Sequence, residues 1–149
     1  MARDDLDELF GDDLILDHRR HPRNPEHIDD AAIIADGANP FCGDEVHFQI
    51  AIDEDGRVSD IGFQGVGCAI NQASGSMLSE AIKGKTLGEI RELHDLFSGL
   101  MKGRMPNKEQ AAVLGDLASL TAVLAFPIRI KCALLPWSAL EDGITASPK

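Results

Sequence analysis

The sequence predicts an α+β domain, and three of its features carry that prediction. Apolar and polar residues alternate from Glu45 to Asp53, the period of a half-buried strand. Glu54-Asp55-Gly56 follows with the turn chemistry of a hairpin. Beyond Cys68 the apolar spacing changes to three and four, the period of helices, and keeps it towards the C-terminus. With a leading helix the order is helix, small antiparallel sheet, then a group of helices.

In chain order, about Asp4 to Arg20 reads as a helix with Leu6, Leu9, Phe10 and Leu14 on one stripe. Gly11 weakens it, and Pro22 and Pro25 end it. Ala31 to Ala35 is a short apolar run suited to an edge strand, and Gly37-Ala38-Asn39-Pro40 reads as a turn. In the central strand Val46, Phe48, Ile50 and Ile52 share one face. The return strand, Arg57 to about Gly65, carries Val58, then Ile61 and Phe63, a change of phase that predicts a bulge around Ser59-Asp60. Ile70, Ala73, Met77, Ala81 and Ile82 form the next stripe, with Gly84 placed to cap it. The small residues Ala73-Ser74-Gly75-Ser76 predict close packing there. Thr86 and Glu89 make a capping box before Leu87, Ile90, Leu93, Phe97 and Leu100. Another helix is expected from Asn107, with Val113, Leu117, Leu120 and Leu124 inward. The last runs from roughly Lys131 to Glu141. Because it contains Pro136, it is expected to begin close to Cys132, where no amide bond is lost.

Composition narrows the function classes. The chain has 149 residues, 44% of them hydrophobic, enough for one domain spanning 1–149 with a real core. With 25 acidic against 14 basic residues the formal charge is −11, a field that repels a phosphate backbone and argues against nucleic-acid binding. No apolar run suits a membrane span, and the acidic start Met1-Ala2-Arg3-Asp4-Asp5 is unlike a secretory signal. A cytoplasmic protein is therefore expected. Phosphate-binding glycine loops, nucleophile elbows and HExxH are absent from the sequence.

The three cysteines carry the chemistry. Cys42-Gly43-Asp44 stands directly before the central strand and Cys68 directly after the return strand, so the hairpin is expected to make Cys42 and Cys68 neighbours. Gly43 permits a sharp turn that lets Cys42 and Asp44 reach one centre. Cys132, at the expected start of a helix, would share its positive dipole end. Three thiols and a carboxylate suit tetrahedral zinc, and cysteine-rich sites also hold iron–sulfur clusters. Three thiolates and a carboxylate around Zn²⁺ leave a negative site, which Arg129 and Lys131 are close enough in sequence to offset. The bland readings stay open at this point: three small buried residues without CxxC pairing, and two solvated basic residues. The five histidines, at 18, 21, 27, 47 and 94, read as solvated or packed rather than ligating.

Asn39-Pro40-Phe41-Cys42-Gly43-Asp44, Gly65-Val66-Gly67-Cys68-Ala69-Ile70 and Arg129-Ile130-Lys131-Cys132-Ala133 resemble the three cysteine motifs of the NifU/IscU/SufU family. Ile15-Leu16-Asp17-His18, Pro22-Arg23-Asn24 and Ala81-Ile82-Lys83-Gly84-Lys85 are similar to it as well, so the resemblance spans nearly the whole chain and puts His18 within the family pattern. It implies a three-stranded antiparallel sheet packed with about five helices (SufE/NifU-like). It also implies a surface metal site of Cys42, Asp44, Cys68 and Cys132. Members of the family serve iron–sulfur cluster assembly, accepting persulfide sulfur from a pyridoxal-phosphate cysteine desulfurase.

Two branches differ. Lys131 stands where the scaffold branch has histidine, and Cys68 and Cys132 are 64 positions apart, a longer interval than that branch uses, with the extra piece around Leu100 to Leu120. An ammonium cannot replace imidazole as a ligand at neutral pH. Both features resemble the SufU branch. That branch implies a zinc-dependent sulfur carrier with Cys42 as persulfide acceptor, a SufS-type desulfurase as partner, downstream iron–sulfur assembly proteins as recipients, and no turnover of its own. The alternatives are a scaffold building a labile [2Fe–2S] cluster and a structural zinc-binding adaptor.

Overall fold

The computed structural model describes residues 13–39 and 43–146. Among these, helix α1 (Asp13–Arg20) precedes strands β1 (Ile33–Asn39), β2 (Asp44–Ile52) and β3 (Val58–Val66). Helices α2 (Ala69–Ala81), α3 (Leu87–Met101) and α4 (Lys108–Leu114) follow, then a 3₁₀ segment (Gly115–Ala125) and helix α5 (Pro127–Ala146). The sheet is antiparallel in the order β1-β2-β3. It is the expected α+β architecture.

Period two sets the sheet. Val46, Phe48 and Ile50 face inward, and Phe48 lies opposite Phe63 with ring centroids 5.1 Å apart. Asp44 has the same parity, so the alternation that buries Val46 buries the carboxylate too. Near the hairpin, Ala51 pairs with Asp60 and Ile52 with Val58, leaving Ser59 as the extra residue of the predicted bulge. Gln49 sits on the polar face yet is buried, because the chain at 24–26 crosses over it: Gln64 Nε2 donates to the Pro25 carbonyl at 3.3 Å.

Helices α2 and α5 cover the inward face. A methyl carbon on Gly75 would lie 2.3 Å from the Phe63 ring, so α2 presses on β3 more closely than any side chain allows. This is the close packing that the small residues predict. The Thr86–Glu89 capping box is present at the start of α3.

Five sequence-based expectations need correction. Residues 4–12 of the proposed first helix lie outside the described residues; in α1 it is Ile15 and His18 that are buried, while Leu14 is exposed. Gly37, Ala38 and Asn39 form the end of β1, not a turn, because they pair with Val46, Glu45 and Asp44. The left-handed Gly84 lies beyond the cap residue of α2, Ile82, and its amide bonds the Val58 carbonyl. The inward residues after Asn107 are Leu114, Leu117, Leu120 and Val123, and Val113 is exposed. Their spacing of three is the turn of a 3₁₀ helix, which explains why the segment leaves the α-helical period.

The fifth concerns α5, which begins at Pro127 and not near Cys132. Pro127 occupies the first helical position, where a missing amide costs nothing. Pro136 therefore lies in the interior, and the carbonyl four residues before it, that of Cys132, receives no helical amide. Cys132 is in the second turn, away from the positive dipole end. No helix of the described residues is long and apolar enough to cross a membrane.

Candidate metal centre

The centre forms where β2 begins, β3 ends and α2 starts. Asp44 opens β2, and its neighbour Glu45 pairs with Val66, so the hairpin returns the chain to within reach of Asp44 two residues later, at Cys68. Gly67 makes the turn at φ 122°, with the Asp44 side chain pressed against it: a methyl carbon there would stand 2.0 Å from Oδ1. The Cys68 amide donates to that Oδ1 at 2.8 Å, and Cys68 Sγ lies 3.9 Å from Oδ2. Cys68 is the N-cap of α2, its sulfur accepting from the Asn71 amide at 3.4 Å.

Cys132 arrives from α5. Its thiol, Cys68 Sγ and an Asp44 carboxylate oxygen all lie within 4.8 Å of one another. Cys132 and Asp44 are buried and Cys68 is half-buried. Part of what holds α5 here is Ser74, whose hydroxyl donates to the Ala133 carbonyl at 2.6 Å, beside the carbonyl that Pro136 leaves without a helical donor.

The thiols differ. The interaction with Cys132 brings Cys68 down to about 7, against burial, helped by the Asn71 and Ile70 amides. Cys132 is pushed up by the same pairing, by burial and by the negative charge of Cys68 and Asp44. The proton of the pair thus belongs on Cys132, and Cys68 is the thiolate near neutral pH. Neither Arg129 nor Lys131 is among the leading influences on either thiol; Arg129 is half-buried and Lys131 exposed.

Of the four expected ligands, Asp44, Cys68 and Cys132 are brought together, and Cys42 lies outside the described residues. Ligands on one tetrahedral zinc stand roughly 3.5–3.8 Å apart, given bonds of about 2.0–2.3 Å. The three donors need a closure on the order of 1 Å to meet that spacing, so the cluster can coordinate a metal ion. The donor set suits a soft, thiolate-preferring metal.

The histidines are elsewhere. Buried His18 bonds Ser76 Oγ through Nδ1 at 2.7 Å, and its Nε2 is 3.7 Å from Asp116 Oδ2. His47 pairs with Asp36, and His94 stacks on Trp137 beside Glu141. Sequence reasoning missed Gly67, Asn71 and Ser74, all of which brace the centre. A glycine just before the second cysteine was the available signal for the first. Nothing local marked the other two, because their partners lie in distant segments.

Comparison with known proteins agrees with this geometry. The profile of the NifU-like N terminal domain matches residues 11–133. The chain is 41% identical over 139 residues to the zinc-dependent sulfurtransferase SufU of Bacillus subtilis, covering 93% of this chain and 91% of that one. It is 37% identical over 147 residues to the iron–sulfur cluster assembly scaffold protein IscU of Streptococcus pyogenes, covering 99% and 89%. The crystal structure of FiSufU from Fervidobacterium islandicum AW-1, described as an iron–sulfur cluster assembly scaffold protein for the SUF system, superposes with a TM-score of 0.83 at 33% identity, covering 92% and 98%.

Proposed function

The chain belongs to the NifU/IscU/SufU family, and from that premise we propose that it is a SufU-type sulfur carrier for iron–sulfur cluster assembly in the cytoplasm. In this reading Cys42 accepts persulfide sulfur from a pyridoxal-phosphate cysteine desulfurase of SufS type and passes it to downstream assembly proteins. The observation that carries the reading is the convergence of Asp44, Cys68 and Cys132 within 4.8 Å at the open end of the hairpin. Lys131 beside Cys132 supports the carrier branch over the scaffold branch, as does the similarity to the Bacillus subtilis sulfurtransferase.

Asp44, Cys68 and Cys132, with Cys42, would hold zinc, which keeps thiols deprotonated at neutral pH without redox chemistry. Asp44 is the hard ligand of the set and the one suited to exchange. Gly43 immediately precedes Asp44 and is left-handed at φ 70°, a conformation that suits glycine. The Cys42 thiolate attacks the outer sulfur of the desulfurase persulfide. A new S–S bond forms on Cys42 as the desulfurase S–S bond breaks, and the desulfurase cysteine departs as a thiolate. The proton stays on the transferred sulfur, and no external oxidant or reductant is needed. Turnover requires the desulfurase throughout, so the chain alone has none. Arg129 and Lys131, beside Cys132 in sequence, would offset part of the negative charge of the metal-loaded site.

The test joins metal analysis of protein purified without oxygen to a desulfurase assay. About one zinc per chain, no visible colour, stimulation by the wild type and none by Cys42→Ser are expected. Full stimulation by Cys42→Ser removes the proposed acceptor. Iron with sulfide and a brown spectrum moves the protein to the scaffold branch.

A further inference from the structure

Asn71 lies in the first turn of α2 and is fully buried. Its Nδ2 donates to the Glu45 carbonyl at 3.4 Å and to the Val66 carbonyl at 3.2 Å. Glu45 and Val66 are the cross-strand pair at the open end of β2 and β3. Asp44 immediately precedes one member of that pair, and Cys68 follows the other by two residues. The Asn71 main-chain amide also donates to Cys68 Sγ at 3.4 Å. One residue thus touches both strand ends and the thiol between them.

The same side chain carries a cost. Among the described residues its buried Oδ1 has no hydrogen-bond partner, and an uncompensated buried acceptor costs about 1–3 kcal/mol. Leucine has nearly the same size and branching and would fill the space without that penalty. In the folding balance the two bonds from Nδ2 and the orphan Oδ1 oppose one another, and both bonds fall on the strand ends that carry Asp44 and lead to Cys68.

We infer that Asn71 is a positioning residue of the metal centre: its amide bridges the Glu45 and Val66 carbonyls and thereby sets the distance between the Asp44 carboxylate and the Cys68 sulfur. The inference rests on the zinc-holding reading above for its effect on metal, but not for its effect on spacing. Groups outside the ligand shell that orient ligands change metal affinity by about 10–100-fold when removed.

The test uses the full chain and Asn71→Leu, which keeps the bulk and removes both donors and the orphan acceptor. Zinc affinity is measured by competition with a chromogenic chelator, and melting is followed on the metal-free protein. The expected result is a loss of affinity of about tenfold or more, larger than any change in metal-free stability, because the lost donors and the relieved orphan acceptor offset one another. The Cys68 amide, which donates to Asp44 Oδ1, reports the spacing without metal. Its hydrogen exchange is expected to quicken in Asn71→Leu while the Phe48 and Ile50 amides keep theirs. Should Asn71→Leu not fold, Asn71→Ser, too short to span both carbonyls, enters the same measurements. Unchanged zinc affinity, or a loss matched by an equal loss of metal-free stability, overturns the inference. A wild type that takes up no zinc refutes the zinc-holding reading instead, and the Cys68 exchange rate then decides for Asn71: unchanged protection overturns it.

Discussion

Replacing Gly67 with alanine sets a methyl carbon 2.0 Å from Asp44 Oδ1 and 2.8 Å from the Asp44 Cα. Neither contact is tolerable, and the second is to main chain, which cannot swing away. The φ of 122° adds strain that only glycine avoids. Backbone strain of this kind costs about 1–3 kcal/mol, and forced overpacking costs typically about 1–3 kcal/mol more. Together they suggest a loss on the order of 3 kcal/mol or more, and a fall in melting temperature of roughly 6–12 °C for a chain of this size. Gly103→Ala isolates the strain, since Gly103 is left-handed at φ 92° with no described residue within 4 Å of an added methyl; it costs roughly 1–2 kcal/mol. Calorimetry of the two metal-free variants and zinc competition on the loaded forms make the comparison. Gly67→Ala is expected to melt well below Gly103→Ala and to bind zinc more weakly, because the methyl displaces the Asp44 carboxylate. Melting of both variants within about 2 °C of one another, with wild-type zinc affinity, would refute the packing of Asp44 against Gly67.

Three further outcomes are expected. In the metal-free protein, alkylation of Cys68 should reach half its limiting rate at a pH of about 7 while Cys132 stays unmodified, read by mass spectrometry of peptides; equal labelling of both contradicts the assignment of the proton to Cys132. His18 is held below its ordinary 6.5 by burial first and then by the Arg23 charge, so the folded protein keeps it neutral. Its contribution is present above that pH and is lost as pH falls from 6.5 through the lowered value in the fold, because only the unfolded chain takes the proton readily. Melting temperature should therefore fall with acid less steeply in His18→Gln, and parallel curves count against it. Ser74→Ala removes one of the donors to the Ala133 carbonyl, with an expected cost of about 0.5–1.5 kcal/mol and faster exchange in α5 around Cys132; an unchanged melting curve speaks against the clamp.

Local patterns were legible wherever one element's own period decides its burial. Alternation along β2 identified Val46, Phe48 and Ile50, and the phase slip in β3 identified the bulge at Ser59. The cysteine motifs announced Asp44 and Cys68 because each stands at a segment end that the hairpin brings together, whereas Cys132, in the second turn of α5, was marked by its motif alone. Positions decided by distant packing were not legible. Gln49 reads as a solvent-facing residue until the 24–26 segment closes over it. Val113 and Leu124 fit an α-helical stripe, but Leu114 and Val123 win because the chain tightens to three residues per turn. Leu14 gave way to Ile15 because α1 turns Ile15 and His18 inward, and His18 meets Ser76 on α2.

The Pro136 result joins the fold to the site. With Pro136 present, the Cys132 carbonyl loses its helical amide, and at the adjacent carbonyl, Ala133, the Ser74 hydroxyl ties α5 to α2. Ser74 and Asn71 are three residues apart and share a face of α2. One reaches the helix that carries Cys132, and the other reaches the strand ends that carry Asp44 and Cys68. Three ligands from three elements are thereby referred to a single rigid helix. Small residues at 73–76 let that helix lie against Phe63, which fixes its height above the sheet. A longer side chain at position 75 should therefore disturb the metal centre without touching any ligand.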